Sequence, residues 1–266
     1  MADRFESAWQ KIDRARKHAD DLEAEVSGFW ASEPYEVEMV GTPMTGPGSY
    51  RVTRMDPLPE SIPLIAGDAA HNIRSALDHF ACAVVRRPER ATSFPVWSTS
   101  KRSVPTAVQW RKSVAEKLRG ASPGLVQAVV NLEAWETGRD SLLWAIHELD
   151  RVDKHRLLIS IAVANTGIRV DGSGYVFDTI KKFSGYGPDQ HVALEPIKWT
   201  PLKSGTILFN VEDGSIFGAA NATKTTFTFD MTLGEPERLK GESAVRWLRI
   251  LAGLAEKTIR DLAPLA

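Results

Sequence analysis

His71-Asn72-Ile73-Arg74-Ser75-Ala76-Leu77-Asp78-His79 decides how this chain is read. At 100° per residue, Ile73, Leu77, Phe80 and Val84 share one face of a helix running from about Ile62 to Val85. Asp68, His71, Ser75, Asp78, His79 and Cys82 spread over the opposite side. A solvated helix face is normally built from Lys and Glu, which are flexible and good helix formers. Between Asp68 and Val85 there is neither. Short, directional hydrogen-bonding groups in their place point to an internal polar network or a functional site.

The flanking sequence sets the fold class. Phe5, Ala8, Trp9, Ile12, Ala15, Ala19, Leu22, Val26 and Phe29 recur at three- and four-residue spacing, which predicts an amphipathic helix over 3–30. Two alternating segments, Tyr35–Val40 and Ser49–Met55, flank the Gly/Pro-rich Gly41–Gly48 and predict a β-hairpin. After the 62–85 helix, further helices are expected near Thr106–Arg119, Pro123–Trp135 and Asp140–Arg156. The pattern then changes. Leu157–Ala164, Ile168–Val170, Tyr175–Phe183, Val192–Trp199, Thr206–Val211 and Thr225–Thr232 are rich in β-branched and aromatic residues and punctuated by Gly, Asn, Asp and Pro. They predict an antiparallel sheet, and Glu242–Leu262 predicts a closing helix. The expected class is α+β: a helical core of long amphipathic helices, an antiparallel sheet in the C-terminal half and a terminal helix. We read residues 1–266 as a single domain, with 1–156 mainly helical apart from the hairpin at 35–55, 157–232 as the sheet part and 242–262 as the C-terminal helix.

Composition narrows the function classes. A net charge of −1 gives no global basic field to recruit nucleic acid or a membrane. The one cysteine, Cys82, excludes an internal disulfide framework and suits a reducing compartment. Met1-Ala2-Asp3-Arg4-Phe5-Glu6 has no apolar signal-peptide core, and no apolar run approaches the ~18 residues of a membrane span. The expectation is a cytoplasmic protein. Charge is uneven, however. From Arg86 to Arg119 nine Lys and Arg face two acids, Glu89 and Glu116, directly after the histidine helix. This basic stretch, 86–119, is a candidate surface for RNA or another phosphate-bearing ligand.

A second cluster, His147-Glu148-Leu149-Asp150-Arg151-Val152-Asp153-Lys154-His155-Arg156, lies on the 140–156 helix. Asp153 projects to the side of Ile146, Leu149 and Leu157. A carboxylate on an apolar stripe needs a cation or donors, and Arg74 is the candidate partner. Trp144 precedes His147 by three residues and is a candidate pocket wall.

Arg74 and His79 fit the spacing Arg-x4-His. In this the chain resembles the HEPN superfamily, helical proteins that include many ribonucleases. The resemblance implies metal-independent RNA cleavage without a cofactor, usually at a homodimer interface. Arg74 would hold phosphate, His79 would do acid–base work, and His71, Asp153 and His155 would support them. The longer pattern His-Asn-x-Arg-Ser-Ala-Leu-Asp-His followed by Asp-Lys-His-Arg resembles one found in uncharacterised bacterial and phage-type proteins. It implies that the two clusters belong together and carries no activity with it.

Two other readings stand beside it. Asp68-x-x-His71 and His147-x-x-Asp150 each put a carboxylate and an imidazole on one helical face, so Asp68, His71, His147 and Asp150 could hold a divalent metal that activates water. Alternatively the His/Arg/Asp groups form a buried network in a non-catalytic binding or scaffold protein. A Ser75/His71/Asp78 triad is discounted, because a helical serine lacks the strained elbow that exposes a nucleophile beside oxyanion donors.

Overall fold

In the computed structural model the described residues are 3–41, 48–85, 88, 92–98, 103–156, 159–172, 192–194, 201–211 and 223–266. The chain divides into two compact units. Met1–Val26, Glu60–Ile161 and Leu233–Ala266 make one, and Ser27–Pro59 with Ala162–Thr232 make the other. Helices dominate the first and antiparallel strands the second, so the fold is α+β.

The helices of the first unit follow the apolar periodicity. They are α1 (Glu6–Ala31), α2 (Ser61–Val84), α3 (Ala107–Lys117), α4 (Pro123–Leu132), α5 (Ser141–Arg156) and α6 (Ala244–Leu262). α2 is the centre, packing on both α5 and α6. Its contact faces carry Ala66, Gly67, Ala69, Ala70, Ala76 and Ala81, small residues that let neighbouring backbones approach, while Ile62, Ile73, Leu77 and Phe80 fill the core. α6 buries Leu248, Leu251, Ile259 and Leu262, each contributing about 1.5–3 kcal/mol relative to exposure. α1 is anchored just before its first residue by Phe5, whose ring lies 5.1 Å from that of Phe80. Its outer face is tied to α6 by ion pairs of Arg249 with Asp20 and Glu23 and of Arg16 with Glu256.

The two short helices start where their sequences say they should. The Thr106 hydroxyl accepts from the Gln109 amide, and the Gln109 side chain accepts from the Thr106 amide, which closes a capping box on α3. Ser122 caps α4 with Pro123 in its first turn, and Glu133 ends it in the left-handed region at φ 53°. Their packing is fixed by Trp110, which donates from Nε1 to the Val130 carbonyl at 2.8 Å and meets Trp135 edge-on.

Among the described residues the second unit holds two three-stranded sheets. The expected hairpin forms, with β1 (Tyr35–Gly41) antiparallel to β2 (Gly48–Met55). It does not belong with the helices, as the sequence suggested: β2 pairs antiparallel with β5 (Ile207–Val211), placing the hairpin among the C-terminal strands. In the other sheet β3 (Ile161–Gly172) lies between β4 (Val192–Leu194) and β6 (Thr223–Leu233). Residues 161–164 and 168–170, expected in two separate strands, thus lie in one long β3, while 157–158 lie outside the described residues. Tyr175–Phe183 lies outside the described residues, as do 195–199. Tyr35, Trp30, Phe227 and Phe229 form an aromatic cluster in this unit, with Tyr35 and Phe229 centroids 4.5 Å apart. Among the described residues no helix is long and apolar enough to cross a membrane.

Candidate functional site

Two strips of polar residues face one another in the first unit. On α1, Ser7, Gln10, Lys11, Arg14 and His18 recur every three or four residues beside the buried Ala8, Ile12, Ala15 and Ala19. On α2, Asp68, His71, Asn72 and His79 do the same beside Ile73 and Leu77. Between them lies an open cavity of about 510 Å³. Lys11 donates to Asn72 Oδ1 across it at 3.2 Å, and Asn72 donates to the Asp68 carbonyl. Arg14 Nε donates to His18 Nε2 at 3.1 Å. Lys11 and Arg14 face a single carboxylate, Asp68, so the cavity favours an anionic ligand.

His71 is the chemically prepared group on this wall. Its Nδ1 lies 2.8 Å from Asp150 Oδ1, and Lys154 Nζ donates to the other oxygen of Asp150 at 2.7 Å. A carboxylate only accepts, so Nδ1 carries a hydrogen, and in the neutral imidazole Nε2 is the accepting nitrogen. The Ser75 hydroxyl lies 3.3 Å from Nε2. Asp150 is buried, whereas the His71 side chain is 42% exposed and open to the cavity. The acid behind His71 and Ser75 is therefore Asp150, not the Asp78 considered from the sequence.

Asp78 has another role. Arg74, 5% exposed in its side chain, donates from Nη2 to Asp78 Oδ1 at 2.7 Å and to the Phe94 carbonyl at 2.8 Å. The Phe94 amide returns to Asp78 Oδ1 at 2.8 Å. Arg74 thus clamps the irregular segment 92–98 onto α2. The expected pairing of Arg74 with Asp153 is corrected: an i,i+4 carboxylate on the same helix is within reach, and a backbone carbonyl completes the fork. Arg74 does not line the His71 cavity. His79 does, five residues further along α2 and on another side of the helix.

Asp153 instead packs on α2 at Gly67, where an added Cβ would lie 2.1 Å from its Oδ1. Burial, then Asp150 and Asp68, push the Asp153 carboxyl above the usual range. His155 lies in α5, but its side chain is outside what the structure describes.

His147 points elsewhere. Burial first, and the Arg74 charge second, lower it to about 4, so it is neutral, and its buried Nδ1 has no partner among the described residues. Of Asp68, His71, His147 and Asp150, only His71 and Asp150 are hydrogen-bonded to one another. Among the described residues no three His, Cys, Asp or Glu side chains converge in a way that could hold a metal ion. Burial and Asp78 raise the Cys82 thiol, so it is not an activated nucleophile. In the basic stretch Arg111, Lys112 and Arg119 are exposed, but Lys117 turns inward and donates to Ser93 Oγ at 2.6 Å. Arg86, Arg87, Arg90, Lys101 and Arg102 lie outside the described residues.

Sequence reasoning missed Lys11, Arg14 and His18. Their spacing was legible, yet on an amphipathic helix it reads as a solvated face until a neighbouring helix covers it. Glu148 was also missed as a structural group. Buried, it accepts two hydrogen bonds from Arg151 and one from Ser98 at 2.9 Å, tying α5 to the 92–98 segment. No protein-family model, curated protein or solved structure matches the chain.

Proposed function

We propose that this chain cleaves RNA without a metal, with the α1–α2 cavity holding the phosphate backbone and His71 moving the proton. The supporting observation is the His71–Asp150 pair on the wall of a cavity whose other wall carries Lys11 and Arg14. His71 Nε2 takes the proton of a ribose 2′-hydroxyl. The freed oxygen attacks the adjacent phosphorus, the bond to the 5′-oxygen breaks, and that oxygen takes a proton from water, leaving a 2′,3′-cyclic phosphate. Asp150 stabilises the imidazolium that forms, and Lys11 and Arg14 offset the charge that builds on the phosphoryl oxygens.

The roles differ from those that the Arg-x4-His resemblance implies. Arg74 is buried and committed to Asp78 and Phe94, which supports a structural part for it. His79 is eight residues from His71, roughly 12 Å along a helix, too far for both to serve one phosphorus. It suits a contact to the next nucleotide of an extended strand. The alternative of a divalent metal on Asp68, His71, His147 and Asp150 has less support, since His147 is turned into the interior. A homodimer and a cytoplasmic setting remain part of the proposal.

The test is cleavage of single-stranded RNA in EDTA, with metal analysis of the same preparations. Wild-type protein is expected to cut. His71→Ala is expected to lose about a hundredfold or more in kcat. Asp150→Asn should lower kcat with KM little changed, and His79→Ala should mainly raise KM. Wild-type protein that neither binds nor cuts RNA, or His71→Ala that cuts at the wild-type rate, overturns the proposal. Stoichiometric metal lost in His71→Ala would turn it toward the metal reading.

A further inference from the structure

A second polar centre lies away from the cavity, where the 92–98 segment is fastened to α2, α3 and α5. Arg74 and Asp78 hold Phe94, Lys117 holds Ser93, and Glu148 holds Ser98. On α2 and α5 beside these fastenings, three buried nitrogens have no hydrogen-bond partner among the described residues: Arg74 Nη1, Trp144 Nε1 and His147 Nδ1. Trp144 and His147 are one turn apart on α5, and Arg74 is close enough to His147 and to Lys117 for its charge to act on both. Leaving a buried donor unsatisfied costs about 1–3 kcal/mol, so the Arg74 guanidinium and the Trp144 indole call for an acceptor, while Nδ1 of the neutral His147 is a donor or an acceptor according to its tautomer.

The charges say which kind. Arg74 and Lys117 are two cations, and Asp78 is the carboxylate shared by Arg74 and the Phe94 amide. Glu148 is taken by Arg151 and Ser98. Among the described residues the half-buried Lys117 is left without a carboxylate partner. Water would satisfy donors but leave that charge. We infer that this centre binds a small inorganic anion, held by Arg74 Nη1, the Trp144 indole N–H and Lys117, with His147 beside it. The inference is independent of RNA cleavage in the α1–α2 cavity.

The experiment is thermal melting of the full chain at constant ionic strength and pH, exchanging potassium gluconate, too bulky for an enclosed site, for potassium chloride or phosphate. A saturable rise of several degrees in Tm with at least one small anion is expected. Trp144→Phe keeps the ring and loses only the N–H, and Lys117→Met keeps the stem and loses the charge. Each should weaken the apparent anion affinity at least tenfold. The His147 imidazole resonance provides a readout independent of melting: in wild-type protein its titration should move to higher pH when the small anion is added. Equal melting in all three salts with no movement of that titration overturns the inference, and so does an anion dependence that both variants keep.

Discussion

Lowering the pH is the cleanest perturbation of the helical unit, because one imidazole dominates the outcome. His147 falls from its ordinary 6.5 to about 4, through burial first and Arg74 second, with Lys117 adding to the effect and Glu148 and Asp150 opposing it. Above pH 6.5 neither the folded nor the unfolded form binds the proton, and the contribution vanishes. As pH falls through 6.5 the unfolded chain takes the proton and the folded one does not, so folding stability drops by about 1.4 kcal/mol per pH unit. The drop is complete near pH 4, at about 3 kcal/mol. Urea unfolding of wild type and His147→Gln at half-unit steps from pH 8 to 4 isolates it. Carboxylates titrate in the same window, and Asp153, whose pKa is raised, acts with the opposite sign, but both proteins share them. The difference between the two curves should therefore open below pH 6.5 and level off near 4. Parallel curves across the whole range would refute the burial of a neutral His147 beside Arg74.

Arg74→Met should cost about 3 kcal/mol, as breaking a buried pair does, because Asp78 and the Phe94 carbonyl lose their shared partner; a denaturation midpoint within error of wild type would contradict the clamp. At temperatures where that variant is folded, its RNA cleavage should match wild type, since Arg74 lies outside the cavity. Gly67→Ala should destabilise by about 1–2 kcal/mol, because the new methyl meets Asp153 Oδ1. In an Asp153→Ala background the same change should stabilise by up to about 1 kcal/mol through helix propensity, and simple additivity of the two would disprove the contact.

The helices were legible because their apolar spacing is a local property: Ile73, Leu77, Phe80 and Val84 announce α2 without knowledge of what they pack against. The hairpin was legible for the same reason, but not its place. β2 finds β5 about 150 residues later through backbone hydrogen bonds, which leave no mark on side-chain order. The site divides along the same line. The Arg74–Asp78 pair is an i,i+4 relation that spacing offers directly, although an apolar-side carboxylate at Asp153 drew attention from it. His71 and Asp150 lie on helices 79 residues apart, and only the packing of α2 on α5 brings them within 2.8 Å. Lys11 and Arg14 look like any solvated helix face until α2 lies alongside.

The 92–98 segment has a consequence for the order in which the helical unit assembles. It has no regular secondary structure of its own. Its polar ties run to side chains of α2, α3 and α5, and the Trp97 amide donates to the Ala134 carbonyl beyond α4. These partners are brought together only when the helices dock, so the segment is a late-forming seal. The Phe94 amide, bonded to a carboxylate instead of a helical carbonyl, is then a natural reporter. Its protection from hydrogen exchange should arise only with tertiary assembly, after the amides inside α2 are already slowed.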